Sequence, residues 1–465
     1  MFSEVKRLRL FFLVLLSTGS LNATAQNIYR TACAGNLERL DSLLANAAIN
    51  TPDDRGRSLL HWAVACKKPD VVDFLVDKGI TLNQEDGDGI TPLQMTIQFN
   101  SPPLFEKLMA LQTSEDWKDQ YGASLLQTAI LRKNLDFVKR LLKAGISPEV
   151  RNERGSTPLE IALRTGEDEI AEWLIAKGAD KQLVRKIKLQ GAYLGQKPAG
   201  KSPKLFAPNF ISTEESEFGS VFNATGNEFY YGVDVNGKPE IRYTRLVDNE
   251  WSQPLTILPE EPYGYNDPFL SPDEKRLYFI SRRPLKGQGE LKDHDIWYVE
   301  RNQEGWSNPI NAGPNINSEG NEYYISFTKT GTMYFASNVN APEERRRSDQ
   351  DIYYSRFING AFQEPVRLGT SVNTPGYEAD AFVSPDEDYL IFCSTRPEGL
   401  GRGDMYISFK NIDGSWTQAV NMGDKINTKH HELCPFVTAD GKYLFFTSNQ
   451  DIYWVDAKVI EEFRK

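Results

Sequence analysis

Four glutamates recur at matching positions in the second half of the chain. Glu217, Glu322, Glu378 and Glu432 each come at the start of a run of apolar residues that reads as a strand. Like charges that are brought close together raise carboxylate pKa values or attract a cation. If these glutamates share one register, they ring the mouth of a central channel and form a site for a cationic ligand. The alternative is that each glutamate binds the backbone of the neighbouring sheet.

Two arginines extend this candidate ligand-binding site. Arg282 and Arg396 each follow the second strand of a repeated unit. An exposed guanidinium near a channel mouth would hold a carboxylate through two parallel hydrogen bonds. Each arginine is as well placed to pair with an acidic residue of its own unit. An acid precedes the third strand of every unit, which favours a structural role for this set: Glu240, Asp295, Asp351, Asp404 and Asp451.

No residue set in the sequence predicts a reaction. The segment KHHELCPF holds His430, His431, Glu432 and Cys434, but metal-binding spacing such as C-x-x-C is missing from it. Adjacent residues of a strand also point to opposite faces. The sequence contains no G-x-S-x-G serine motif and no phosphate-binding loop of the Walker or dinucleotide type. We therefore predict no catalytic residue, no metal site and no cofactor.

The elements that carry these residues are copies of one unit. SPDEKRLYFISRR begins at Ser271, and SPDEDYLIFCSTR begins at Ser384, 113 residues later. Related phrases begin at Ser220, Ile325 and Pro435. Each phrase joins two strands through a short turn, a third strand follows, and in most units a fourth. Five repeats of four antiparallel strands predict a five-bladed β-propeller, with a six-bladed ring as the alternative.

The last unit lacks a fourth strand, because the chain ends soon after Asp456. The text LFAPNFISTEESEFG, from Leu205, matches text such as NAGPNINSEGNEYY that follows the third strands of other units. We therefore expect residues 205–212 to pair with the last blade and close the ring, which places the propeller domain at 205–465.

The phrases SPDEKRLYF, SPDEDYLIF and TADGKYLFF resemble the WD40-like repeats of TolB-type propellers. The resemblance covers about Leu205 to Asp456. It implies the fold but no particular activity, since such folds serve many roles.

The first half repeats with a period of 33 residues, which is visible in Gly56, Gly89, Gly122 and Gly155. Within each unit a turn is followed by two short helices. The texts TPLQMT, TPLEIA and SLLHWA resemble the ankyrin motif T-P-L-H-x-A, although only His61 keeps its histidine. The resemblance implies about five ankyrin repeats over 27–181, the first degenerate, stacked into an α-solenoid that binds a protein on its concave face.

The N-terminus reads as a secretory signal peptide over 1–25. Basic residues in MFSEVKRLRL precede the short apolar run LFFLVLLSTG, and small residues at Ala23 and Ala25 suit a cleavage site. No cysteine follows the apolar run as a lipid anchor requires. We expect a periplasmic or secreted protein without a membrane span in its mature chain. An uncleaved membrane anchor is the alternative.

Export permits disulfides but does not require them. Cys33 and Cys66 fall in neighbouring helical repeats, and Cys393 and Cys434 fall in neighbouring blades. Two alternatives therefore stay open: four buried free thiols, or a disulfide within either pair. Between the domains, residues 182–204 are basic and contain Gly and Pro, so we expect a solvated linker there, with a basic partner patch as the alternative.

The chain of 465 residues has 53 Lys and Arg against 64 Asp and Glu. This acidic balance argues against a nucleic-acid partner, because phosphate binding needs a basic face. The sequence favours an exported two-module interaction or ligand-sensing protein. It would have a protein partner and a peptide or glycan ligand, bound at the ankyrin concave face and the propeller mouth. The alternative is a propeller lyase or hydrolase that acts on glycans or peptides through an acidic channel mouth.

Overall fold

The structure is a computed structural model that describes residues 23–53, 55–112, 120–152, 154–181, 188–235, 237–258, 261–285, 289, 291–303, 305–342 and 349–464. It divides into two compact units, Met1–Arg185 and Lys186–Lys465. Most of the predicted signal peptide, 1–25, lies outside the described residues. In the described part of the chain, no helix is both long and apolar enough to span a bilayer.

The first unit consists of five helix pairs with a common core, which are the predicted ankyrin repeats including the degenerate first one. Its helices within the described residues are α1 (Ala23–Ala34), α2 (Leu37–Leu44), α3 (Leu59–Ala65), α4 (Pro69–Asp77), α5 (Pro92–Gln98), α6 (Pro102–Ala110), α7 (Gln120–Leu131), α8 (Leu135–Lys143), α9 (Pro158–Arg164) and α10 (Asp168–Ala176). The 33-residue pattern fails locally at Gly122, which lies inside α7 and not in a turn.

Capping boxes start α3, α5 and α9, each of which is the first helix of its pair. Ser58 caps α3 reciprocally with His61, whose Nε2 lies 2.9 Å from the carbonyl oxygen of Ile90 in the next repeat. Burial lowers the pKa of His61 and keeps its imidazole neutral. Gln94 has the same place in α5, where its Nε2 donates to Ser124 Oγ of the following repeat at 2.6 Å. The amide therefore replaces the motif histidine both as a cap and as a link between repeats.

A disulfide between Cys33 and Cys66 joins the first two repeats, with their Cα atoms 5.2 Å apart. Cys393 and Cys434 are free and buried. Of the two pairs left open by the sequence, only the first is bridged.

The second unit is a five-bladed β-propeller and not the six-bladed alternative. Blade 1 contains β2 (Ser216–Phe222), β3 (Glu228–Asp234), β4 (Pro239–Val247), β5 (Glu250–Trp251) and β6 (Leu255–Thr256). Blade 2 contains β7 (Asn266–Leu270), β8 (Arg276–Ser281), β9 (Asp295–Asn302), β10 (Gly305–Trp306) and β11 (Ile310–Asn311). Blade 3 contains β12 (Glu322–Phe327), β13 (Met333–Ser337), β14 (Asp351–Ser355) and β17 (Val366–Arg367), with the hairpin β15 (Phe357–Ile358) and β16 (Ala361–Phe362).

Blade 4 contains β18 (Glu378–Val383), β19 (Tyr389–Ser394), β20 (Asp404–Phe409) and β21 (Val420–Asn421). Blade 5 contains β22 (Leu433–Val437), β23 (Tyr443–Ser448) and β24 (Asp451–Asp456), and it takes its fourth strand, β1 (Lys204–Leu205), from the start of the domain. All pairings within the blades are antiparallel, and the aromatic and aliphatic residues of the strands fill the space between blades.

Pairing of β1 with β24 closes the ring, because Lys204 lies opposite Trp454 and Leu205 opposite Tyr453. The sequence placed this strand at 205–212, whereas the paired segment starts one residue earlier and is much shorter. Ala207 and Asn209 have left-handed φ angles of 43° and 66°, which turn the chain away from the sheet edge.

The expected solvated linker, 182–204, is in its described part a strap packed on the propeller. Trp251 Nε1 donates to the carbonyl oxygen of Gly191 at 2.7 Å, and Leu194 is fully buried. The Tyr193 ring lies 4.8 Å from that of Tyr443 in blade 5, measured between centroids. The strap thus contacts blades 1 and 5 and covers the junction that β1 closes. The apolar side chains of this basic stretch decide its position.

Candidate functional site

The innermost strand of every blade carries a bulge at the same place. The register between the first two strands shifts there in all five blades, and one residue adopts a left-handed conformation. These residues, with φ between 42° and 54°, are Gly219, Asp267, Tyr324, Asp380 and Cys434. A bulge redirects a side chain relative to the alternation of the strand. We call these five residues the axial ring.

Contacts across blades show that the axial ring converges on the centre of the propeller. Cys434 Sγ of blade 5 donates to Asp267 Oδ1 of blade 2 at 3.5 Å. A Cβ on Gly219 would lie 2.8 Å from that same oxygen, so blade 1 needs glycine there. Tyr324 Oη of blade 3 donates to the carbonyl oxygen of Pro435 at 2.7 Å. Residues about fifty positions apart in sequence therefore share one small volume.

Burial raises the pKa values of the ionisable groups in the axial ring. Burial, followed by the charge of Asp267, raises the pKa of Asp380 to about 8. Burial raises the pKa of Asp267 to about 6, and the Cys434 thiol that donates to it opposes this rise. Burial and both aspartates raise the pKa of Cys434 well above its ordinary value. A carboxylic acid that keeps its proton at neutral pH can donate a hydrogen bond or a proton.

Aromatic rings pack together on the side that follows the bulges. Phe436 lies between Phe269 and Phe382, with ring centroids 6.0 Å and 5.9 Å away. All three rings are buried, and each comes two residues after an axial-ring residue of its own blade.

Polar residues gather on the opposite side, before the bulges. Tyr323 Oη lies 3.0 Å from His294 Nδ1, and burial followed by the charge of Asp267 raises the pKa of Tyr323 to about 12. Cys393 Sγ lies 3.3 Å from His431 Nε2, which is the spacing of a cysteine nucleophile and its base. Burial and nearby carboxylates raise the pKa of Cys393 well above its ordinary value, so this pair does not supply a thiolate.

The four predicted glutamates do not line the channel mouth. All are buried, and each accepts hydrogen bonds from the loop four residues before it. Glu432 is typical, since it accepts from Thr428 N at 3.1 Å, Thr428 Oγ1 at 2.7 Å and Ser448 Oγ at 2.6 Å. Glu322 and Glu378 repeat this pattern, and Glu217 accepts from Thr213. Ser337, Ser394 and Ser448 end the second strand of the glutamate's own blade, whereas the donors four residues before lie in the loop that enters that blade. We call the four residues the glutamate locks.

The two predicted arginines are not brought together. The side chain of Arg396 is 6% exposed and pairs with Glu378, with Nε 3.6 Å from Oε1. It donates to the carbonyl oxygen of Val372 at 2.6 Å, and its guanidinium stacks 4.7 Å from the Tyr406 ring. Arg282 is exposed and donates to the carbonyl oxygen of Lys292, and its charge bears on the neighbouring Tyr323. Only Arg282 is therefore placed to meet a ligand from solvent.

The acids before the third strands tie loops together. Asp404, for example, accepts from Leu400 N, Gly401 N and Asn421 Nδ2. Among the described residues, no group of three or more His, Cys, Asp or Glu is arranged to hold a metal ion, the KHHELCPF segment included.

The sequence analysis missed the axial ring, although it named the glutamates that stand two residues before four of its members. A signal was present in YNDPFL and YEADAF, where an aspartate interrupts an otherwise apolar strand. A buried ionisable residue is costly unless something in the structure or function requires it.

Comparison with known proteins identifies the ankyrin repeats of the first unit. Residues 28–110 and 93–185 match the family model "Ankyrin repeats (3 copies)". Similar proteins include the putative palmitoyltransferase ZDHHC13 of Danio rerio, 28% identical over 143 residues, which are 30% of this chain and 22% of that protein. They also include Neurogenic locus notch homolog protein 1 of Xenopus tropicalis, 31% identical over 121 residues, which are 26% of this chain and 5% of that protein. Rabankyrin-5 of Homo sapiens is 26% identical over 137 residues, 29% of this chain and 12% of that protein. The chain thus spans less than a quarter of each of these relatives.

Proposed function

We propose that the chain is an exported two-module interaction protein. Its ankyrin unit binds a partner protein, and its propeller of TolB type senses a peptide or glycan ligand. The observation that carries this proposal is that both units are repeat scaffolds, one of ankyrin repeats and one of propeller blades. Ankyrin repeats serve as protein-binding surfaces because stacked units present one continuous face.

The Cys33–Cys66 disulfide supports export, since structural disulfides persist in oxidising compartments. In cells, alkylation of free thiols before and after reduction should show two protected cysteines in the full chain. A variant that lacks residues 1–25 should show none. Sequencing of the mature N-terminus should begin at or near Gln26. Reduced Cys33 and Cys66 in the full chain, or an intact residue 1, would contradict export.

Protein binding is tested with a photo-cross-linking residue in the full chain. Leu163, on the inner helix α9, is 44% exposed and is the test position. Ile412, in a blade 4 hairpin, is fully exposed and serves as the matched control. A discrete protein adduct from position 163, missing from position 412, supports an ankyrin partner. Identical adducts from both positions, or none at 163, would refute it.

A catalytic role for the propeller is the second candidate, and the raised pKa of Asp380 favours it. Perturbed acids concentrate in active sites. Asp380 would give its proton to the leaving group of a glycan or peptide, while a water molecule adds to the other fragment and its released proton restores the acid. Product formation by the purified chain that is lost in Asp380→Asn but kept in Arg396→Lys would establish this role. An absence of turnover in both wild type and variant leaves the interaction role as the function of the propeller.

A further inference from the structure

A pocket of about 490 Å³ lies between blades 2 and 3. This volume is in the range of sites that take small ligands or one or two side chains. Its apolar walls are the rings of Tyr278, Phe327, Phe357 and Phe362. Its charged lining is formed by Asp273, Lys275, Arg276, Glu300, Arg301 and Lys329.

The repeat shows which group is missing from this junction. In blade 2, Trp306 packs edge-on against Tyr230 of blade 1, with ring centroids 6.3 Å apart. In blade 4, Trp416 packs in the same way against Tyr334 of blade 3, also at 6.3 Å. The corresponding residue of blade 3 is Phe362. Tyr278, the counterpart of Tyr230 and Tyr334, lines the pocket beside it.

Phe362 does not fill the space that a tryptophan takes at the flanking junctions. Its ring packs against Phe357 with centroids 4.9 Å apart, inside the blade 3 hairpin. Phe357 itself takes the place of the cations Arg301 and Lys410, which cover Trp306 and Trp416 at 4.7 Å and 5.1 Å. The pocket therefore offers an indole-sized space with an apolar lid, 39% exposed at Phe357.

The lining carries four basic residues against two acidic ones. Lys275 has the loosest ion pair of the four, with Nζ 3.8 Å from Asp273 and a side chain 81% exposed. Lys329 pairs with Asp386 and is 68% exposed. An incoming carboxylate can bind both lysines without desolvating a buried group.

We propose that this pocket binds a tryptophan side chain flanked by acidic residues, in an extended segment of a partner protein. The proposal deepens the interaction role above and rests on it. The ring would stand edge-on to Tyr278, as Trp306 and Trp416 stand to their tyrosines, and the acids would meet Lys275 and Lys329.

The test uses the full chain and the peptide acetyl-Gly-Asp-Trp-Asp-Gly-amide with a fluorinated indole, followed by fluorine NMR. We expect saturable binding in the micromolar to low millimolar range. Phe362→Trp supplies the repeat's own indole and should weaken binding by roughly tenfold or more. Trp416→Phe, at the neighbouring junction, is the matched control and should leave the affinity unchanged. Thermal unfolding of each variant confirms that it is folded.

Variant peptides separate the contribution of the indole to binding from that of the aspartates. A peptide with Leu in place of Trp should not bind, and one with Asn in place of both Asp should bind about threefold to tenfold more weakly. Lys275→Ser, a surface change that does not threaten folding, should weaken only the Asp peptide. Lack of saturation at about 5 mM peptide, or equal binding by wild type and Phe362→Trp, overturns the proposal. A partner still cross-linked at position 163 would then show that the interaction role stands without this pocket.

Discussion

In four blades a glutamate lock precedes an axial-ring residue by two positions, and in blade 4 both residues are acidic but differ in their surroundings. Glu378 accepts bonds from Thr374 N, Thr374 Oγ1 and Ser394 Oγ. Asp380, two residues later, is held neutral by burial and by Asp267. Glu378 thus ties its loop to the strand, whereas burial and Asp267 favour the protonated form of Asp380. Donors alone do not keep a buried carboxyl group ionised, since burial raises the pKa of Glu322 to about 7 although Ser318 and Ser337 donate to it.

The largest expected effect comes from breaking a lock. Glu432→Ala leaves Thr428 N without its acceptor and removes both hydroxyl contacts in a buried site. We expect the propeller to lose about 3–5 kcal/mol of unfolding free energy, because buried donors lose a charged acceptor. Urea denaturation followed by near-ultraviolet circular dichroism measures this loss.

Glu461→Ala is the control for this change. Its side chain is 61% exposed and pairs with Arg464 on the surface, so the loss should stay below about 1 kcal/mol. If the two substitutions cost the same, the locks do not stabilise the blades in the way proposed.

Asp380→Asn should act in the opposite direction and only at higher pH. Asparagine adopts left-handed φ readily and matches the neutral acid in shape, so the site keeps its packing. The folded pKa of Asp380, about 8, exceeds the unfolded value. Wild type therefore loses stability as pH rises from about 4, where the unfolded chain ionises, to about 8. The variant avoids this loss, so it should match wild type near pH 4 and exceed it by about 1–4 kcal/mol at pH 8.

Melting curves at several pH values give this difference directly. Asp386→Asn, in the exposed turn of the same blade, should show no such pH dependence. The titratable groups that interact with Asp380 are shared by both proteins: Asp267, Cys393, Cys434, Tyr323, Tyr324 and Tyr377. Destabilisation by Asp380→Asn at every pH would mean that the carboxylate is bound as an ion.

Repetition made the fold predictable. The 33-residue period and the five copies of one strand phrase each state the same local structure several times, so single departures such as Gln94 for the motif histidine do not matter. Counting strands predicted that the ring closes. It did not predict the length of the closing strand, because the turn at Ala207 and Asn209 is not visible in the sequence pattern. Trp251 and Tyr193 hold the expected linker through contacts between blades that no local pattern encodes.

The candidate site was only half predictable, for a reason of backbone geometry. Alternation along a regular strand puts residues two apart on one face, which would give Glu378 and Asp380 the same environment. The bulge at Asp380, with φ of 53°, breaks that alternation. Composition does not mark the bulge, because Gly, Asp, Tyr and Cys all occupy it. The Glu position was visible because it repeats in four blades, and the axial ring was hidden because four residue types share its five positions.

The smallest expected effect concerns the coupling within the axial ring. Asp267→Asn keeps an oxygen that can accept from Cys434 but removes the negative charge near Asp380. We expect the pKa of Asp380 to fall from about 8 yet to remain above the ordinary aspartate value of about 4, because burial is the larger cause and the charge of Asp267 the smaller. Carbon NMR of the labelled aspartate carboxyls measures the titration, with Asp380→Asn to assign the resonance. A fall to the ordinary value would make repulsion and not burial the main cause, and no change at all would place the two carboxyl groups too far apart to form one ring.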